Sequence, residues 1–141
     1  MAVEFTDNSA KAKATLRKAS EQAVDKALLI LEAQIKANAP VSTGDLRDSI
    51  KHNSDWAGDI IWGRVGSPLM YAIYVEFGTG EFAENGAGRK GGWSYKDSSG
   101  EWFFTWGMSP QKFMRKAFRT KKNQVKQFVG KEIGVSFQGG A

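Results

Sequence analysis

The sequence predicts an α+β fold: a long N-terminal helix and a C-terminal helix packed on a small, mostly antiparallel β-sheet, with a long flexible loop. Three observations carry this. Apolar residues recur at the helical period through the first forty positions, β-branched and aromatic runs punctuated by glycine fill the middle, and a second helical stripe follows Ser109-Pro110. At 141 residues the chain is expected to be a single domain, 1–141, burying about two-thirds of its unfolded surface.

In the first element Leu16, Ala23, Ala27, Leu31 and Ile35 form the stripe, with Leu28 and Ile30 beside them. Pro40 stops it, and the polar residues 1–8 are expected to fray. Ser42 followed by Asp45 resembles a capping box, so a short second helix is expected from about Thr43, anchored by Leu46 and Ile50. Arg47 is within reach of Asp48, or of the acids at Asp55 and Asp59. Ile60–Val65 reads as a strand, broken by Ser67-Pro68.

The stretch "YAIYVEFGTG", Tyr71–Gly80, fits two patterns. Tyr71, Tyr74 and Val75 suit a helical face, whereas Tyr71, Ile73, Val75 and Phe77 alternate as a strand does. Gly78 favours a helical turn that ends there, since glycine supplies the positive φ of a helix C-terminus. The aromatics are expected to anchor this corner to the core, and Glu76, between Val75 and Phe77, to fix the turn. A partly buried acid needs a partner, such as Arg47 or a loop N–H.

Residues 81–92, "EFAENGAGRKGG", are glycine-rich and expected to be mobile, ordering on contact with a partner. "WSYKDSSGEWFFTW" reads as a hairpin: Trp93 and Tyr95 alternate, Asp97–Gly100 turns, and Trp102, Phe104 and Trp106 share a face of the return strand. Ser109 as cap and Pro110 at the first position are expected to open the last helix. Its stripe is Met114, Phe118, Val125 and Val129, widened by Phe113, Ala117 and Phe128. Ile133–Phe137 suggests a short terminal strand, and 138–141 a frayed tail.

Composition excludes several chemistries. There are no cysteines and one histidine, His52, so neither disulfides, thiolate metal sites nor a multi-histidine zinc site fits, and no calcium-loop spacing of acids occurs. No metal and no cofactor is expected. "FGTGEF" is not a dinucleotide fingerprint, because Ala83 stands where its third glycine belongs, and no P-loop or serine elbow is present. Glu76, Asp97 and Glu101 are the acids from which a glycosidase pair would be drawn, but acids and aromatics at strand ends are common in inert domains. No catalytic residue is assigned. No apolar run approaches a membrane span.

The net charge of +5 is uneven: from Gln111 to Lys131 there are eight Lys or Arg and no acid. That suits nucleic acid, an acidic protein or a merely solvated helix face. A small basic nucleic-acid-binding module is therefore the alternative reading, with the aromatics as stacking surfaces. Against it, the aromatics fall on stripes that a small core needs, apart from the basic run.

Three motifs then occur in order: "P-x-x-T-G-x-L-R-x-S-I" at Pro40–Ile50, "Y-A-x-Y-V-E-F-G-T-G" at Tyr71–Gly80 and "G-M-x-P-x-x-F-M-x-x-A" at Gly107–Ala117. In that order and spacing they resemble the HK97 gp10-like family of tailed-phage morphogenesis proteins, over about residues 20–120. Ser42 and Lys112 depart from the family pattern without disturbing its register. The resemblance implies a neck or tail-completion protein without chemistry, acting as a ring at the virion head–tail junction after assembly in the host cytoplasm. Six copies are expected by analogy with connector rings. The implied partners are copies of itself, adjoining head-closure, tail-terminator or tail-tube proteins, and passing DNA without sequence preference; no membrane is involved. The residues expected to carry assembly are Glu81, Phe82, Arg89, Lys90, Arg115, Arg119, Lys122 and Lys126. Those expected to build the corner are Thr43, Gly44, Arg47, Tyr71, Glu76, Gly78 and Gly80.

Overall fold

The computed structural model describes residues 8–41 and 44–139, the side chains of 135–139 excepted. Residues 1–7, Ser42, Thr43 and 140–141 lie outside these, and with them the capping box, Thr43 and most of the expected frays. The architecture is α+β, with helices α1 (Ser9–Asn38), α2 (Asp45–Ser49), α3 (Tyr71–Phe77) and α4 (Phe113–Gly139). Strands β1 (Lys51–Ala57) and β2 (Ile60–Gly66) form one two-stranded sheet, and β3 (Trp93–Lys96) and β4 (Trp102–Thr105) another. The chain divides into two compact units. One draws on Met1–Ala33, Lys51–Val65 and Lys121–Ala141, the other on Gln34–Ile50 and Gly66–Thr120.

In the first unit α1 buries Ala19, Ala23, Ala27 and Leu28, a seam of small side chains, while Leu16 of the expected stripe is exposed. The small residues let a sheet come close. A Cβ on Gly63 of β2 would lie 2.6 Å from Cδ1 of Leu28. β1 has little intrinsic strand propensity, and its sequence, "KHNSDWA", gives no hint of a strand. Side chains on its alternate positions tie it to α1 instead. The His52 ring bonds Glu32 through Nδ1 and Asp25 through Nε2, the latter at 3.1 Å. Trp56 Nε1 donates to Glu21 at 2.6 Å, and the Arg17 guanidinium lies 4.0 Å over the Trp56 ring. The spacing matches: four strand residues cover about 13 Å, and eleven helical ones, from Glu21 to Glu32, about 16 Å. The tip is closed by Asp59, paired at 3.5 Å with Lys13 and Arg17 rather than with Arg47.

The hydrogen bond to Glu32 raises the His52 pKa above its ordinary 6.5, helped by Asp25 and opposed by burial. A raised folded pKa means that the charged form stabilises the fold. This contribution is complete below 6.5 and is lost as the pH climbs through the folded value. His52→Gln is therefore expected to lower stability by about 1 kcal/mol in mildly acidic buffer and by less in alkaline buffer. Thermal melts of both proteins across pH check this; a difference that grows with pH would contradict it.

In the second unit the core comprises Ile35, Ala39, Leu46, Ile50, Ala72, Val75, Phe113 and Ala117, with Ile50 and Phe113 the largest fully buried side chains. α2 begins at Asp45, behind Gly44 at φ 87°, and its Leu46 and the following Ile50 anchor it as expected. Asn38, at the end of α1, donates to the Phe113 carbonyl at 3.3 Å. The β3–β4 hairpin has Trp93 opposite Thr105 and Tyr95 opposite Phe103, around the Asp97–Gly100 turn.

Three expectations about α4 are corrected. It opens at Phe113 rather than at Ser109-Pro110, because residues 107–112 take no regular structure and their last two are bonded to α3: Gln111 N donates to Val75 O at 2.9 Å and Lys112 N to Glu76 O at 3.3 Å. Nor is there a strand at Ile133–Phe137; α4 runs on through these residues to Gly139. Five alternating residues make a strand only where a sheet edge receives them. Phe118, expected on the buried stripe, is exposed.

Candidate functional site

The residues of "YVEFGTG" meet residues 106–115 at a corner of the second unit. α3 ends at Gly78 with φ 83°, its N–H bonded to Tyr74 O, as the glycine signal predicts. From there the two segments run side by side: Thr79 N donates to Met108 O at 2.8 Å, Met108 N to Thr79 Oγ1 at 2.9 Å, and Glu81 N to Trp106 O at 2.9 Å. Such closeness requires glycine on both sides. At Gly80 (φ 60°) a Cβ would lie 2.3 Å from Trp106 O, and at Gly107 (φ 117°) 2.1 Å from Thr79 O. "FGTG" is thus a backbone crossing, and its glycines face peptide rather than phosphate.

Glu76, 5% exposed, locks the corner. Its Oε2 accepts from Met114 N at 2.9 Å, and its Oε1 from Arg115 N at 3.1 Å and Arg115 Nε at 2.9 Å. A side chain from α3 therefore caps the N-terminus of α4, where free N–H groups and the helix dipole favour a carboxylate. The expected partner, Arg47, instead bonds Asp48 at 3.1 Å. Arg115 also grips Glu84 with both terminal nitrogens, at 2.8 and 2.7 Å, and lies 4.8 Å over the Phe77 ring. The hydrogen bonds to Glu84 and then Glu76 push its pKa up, and the Glu84 carboxyl is held below its ordinary value by Arg115. Arg115, expected to serve assembly, is committed inside the corner.

The loop after the corner is tied back at several points. Glu84 N donates to Phe77 O, Gly91 N to Glu81 Oε1 at 2.8 Å, and Lys90 pairs with Glu81 at 3.5 Å. Together with α3 it walls an open groove of about 410 Å³, lined among others by Ile73, Tyr74, Phe77, Gly88, Arg89 and Trp93. Arg89 lies 5.4 Å over Trp93, and Phe82 is exposed. Arg119, Lys122 and Lys126 are exposed on α4 at a spacing that shares a face. Gly44 and Arg47 take their contacts in the first turn of α2.

The aromatics lie opposite to expectation. Among the described aromatic residues only Phe113 is in the buried core, while Tyr71, Tyr74, Phe77, Tyr95, Phe103, Phe104 and Trp106 are exposed and Trp102 is 68% exposed. Both hairpin faces carry them: Tyr95 stacks on Phe103 on one, and Phe104 meets Trp106 edge-on at 5.3 Å on the other. Alternation locates faces and does not say whether anything covers them. The signal available in the sequence was "WFFTW" itself, since consecutive aromatics on a strand must use both of its faces.

Among the described residues no three His, Asp or Glu side chains are placed to hold a metal ion, and no helix is long and apolar enough to cross a membrane. A family profile described as "Bacteriophage HK97-gp10, putative tail-component" matches residues 4–78, just over half of the chain. The chain belongs to the HK97-gp10-like family. No curated protein and no solved structure matches it. As an HK97-gp10-like protein it is a member of a structural bacteriophage tail-component family. The matched stretch covers α1, α2, the first hairpin and α3 as far as Gly78. The loop, the aromatic hairpin and α4 lie beyond it. So does the third motif, Gly107–Ala117, which Glu76 and the glycine crossing bind to the second.

Proposed function

We propose that this HK97-gp10-like protein is a structural virion component that forms a ring, of six copies, at the head–tail junction and joins the DNA-filled head to the tail. The observation that carries the reading is the outward placement of the aromatics. A chain that fills its core with alanine, isoleucine and leucine while exposing Trp102 and Phe104 on one side of a hairpin and Tyr95 and Phe103 on the other has a surface suited to protein partners. The compact corner supports it, because a contact surface needs a rigid base. Depleting the protein during infection tests the reading: DNA-filled heads and separate tails should accumulate, and normal virions would refute it.

The exposed face of Arg119, Lys122 and Lys126 meets an acidic surface of an adjoining ring, and Glu81, Phe82, Arg89 and Lys90 face a neighbouring copy. Reversing Arg119, Lys122 and Lys126 together to Glu should abolish joining of purified heads to tails while leaving the fold intact. Joining at the wild-type rate would remove this face from the interface. Tight DNA binding by the wild-type protein that falls steeply with salt, together with normal virions after depletion, would favour the nucleic-acid reading instead.

A further inference from the structure

The second unit carries both a protruding apolar element and a recess. The element is the β4 face with Trp102 and Phe104, the first more than two-thirds exposed. The recess is the groove between α3 and the loop, whose floor and walls include Ile73, Tyr74, Phe77 and Trp93, and which at about 410 Å³ has room for an indole ring. Their charges are complementary. Among the described residues lining the groove Arg89 alone carries a charge, and it is positive. The hairpin tip beside Trp102 carries Asp97 and Glu101 against a single Lys96, which sits 5.8 Å over the Trp102 ring. Asp97 is held in its ionised form, its pKa lowered by bonds from Ser99 and then the Glu101 N–H.

We infer that the occupant of the groove is the Trp102–Phe104 face of a second copy of this chain, its acidic tip lying beside Arg89. A contact that joins two different surfaces of one chain is head-to-tail, and repeated it closes into a ring or runs on as a filament. The inference rests on the ring reading above and names the surfaces that would make it. It also gives the loop its place: residues 83–89 form the wall of a socket. Tryptophan suits the role because it gives a large contact area with few rotatable bonds and is enriched among the residues that dominate binding energy.

The test uses the full chain with two exposed positions altered, Trp102→Ser on the protruding side and Ile73→Asp in the recess. Mass photometry and sedimentation follow each variant over a range of concentrations, with circular dichroism to check that the fold is unchanged. Wild-type protein is expected to assemble, and each variant alone to be monomeric, with association weakened by about 30-fold or more. An equimolar mixture is expected to stop at dimers, because W102S keeps its recess and I73D keeps its tryptophan, so one contact forms and no second can follow. Rings that persist in W102S or I73D would overturn this contact while leaving the ring reading intact. Open filaments of wild type that dissolve in both variants would uphold the contact and refute the ring. A wild type that is monomeric at every concentration, or a mixture that yields no dimer, would overturn the inference.

Discussion

Glu76→Ala is expected to destabilise the second unit by about 3–5 kcal/mol, the range for breaking a buried ion pair by removing one partner. The size follows from what the carboxylate does. It satisfies two N–H groups in the first turn of α4 and the Nε of Arg115, all within 3.1 Å. Alanine leaves both N–H groups without an acceptor in a place from which water is largely excluded, and each such orphan costs about 1–3 kcal/mol. Glu84 offers no substitute, because it holds the outer edge of the guanidinium. Glu76→Gln keeps one good acceptor and loses the charge, so an intermediate effect is expected. Arg115→Ala removes the cation but leaves the helix cap, and should lie below Glu76→Ala; Glu84→Ala, on the exposed side, should be the mildest. Amide exchange of residues in α3 and in α4 as far as Thr120 reads these effects within the second unit, where a global melt mixes both units. An ordering with Glu84→Ala worst, or a loss below 1 kcal/mol for Glu76→Ala, would mean that the carboxylate only decorates the corner.

Much of this architecture was legible in the sequence, and the failures share a physical cause. The period of 3.6 gave α1 to within a residue or two, Gly78 ended α3 where a positive φ is needed, and the Asp97–Gly100 turn placed the second hairpin. These features are set within a few residues of where they act. β1 was not legible, because what makes "KHNSDWA" a strand is its pairing with β2 and the side chains that hold His52 and Trp56 from α1. The start of α4 was displaced for the same reason. Ser109-Pro110 is a good local opening, and a cap supplied from Glu76, 38 residues before Met114 in the chain, overrides it. The buried acid and its need for a partner were foreseeable from Val75-Glu76-Phe77; which arginine answered was not.

The aromatic surface is the instructive case. Hydrophobic patterning reports which residues share a face, and the hairpin pattern was read correctly on that point. It does not report whether the protein's own chain covers that face. With α1 presenting alanines to its neighbours and the second unit's core filled largely by aliphatic residues and Phe113, that core holds no tryptophan. Trp56, Trp62 and Trp93 are half-buried, and Trp102 and Trp106 stay outside, where a partner can bury them. Of the residues expected to serve assembly, Arg115 belongs to the scaffold, whereas Arg89 and Lys90 lie on the loop beside the groove and Arg119, Lys122 and Lys126 on the open face of α4.

Gly107→Ala and Gly80→Ala are expected to be as damaging as the loss of Glu76, each at about 3 kcal/mol or more, from strain at a positive φ and overlap added together. A methyl at Gly107 would lie 2.1 Å from Thr79 O and 2.8 Å from the Gly80 Cα; one at Gly80 would lie 2.3 Å from Trp106 O. Those atoms are main chain, so nothing can rotate away, and relief means parting the two segments and breaking the bonds Thr79 N→Met108 O and Glu81 N→Trp106 O. The base of the hairpin would then come loose from α3, so the change should also impair assembly, although neither glycine can touch a partner through a side chain. Gly130→Ala supplies the contrast. It lies in α4, where beyond the helix's own adjoining backbone nothing comes within 4 Å of the new methyl, and is expected to stabilise by about 0.5–1 kcal/mol through helix propensity alone. Urea denaturation of the three variants separates these outcomes: if alanine at 107 and 80 proved as harmless as alanine at 130, the two segments would not be in contact, and the reading of "FGTG" as a backbone crossing would fail with them.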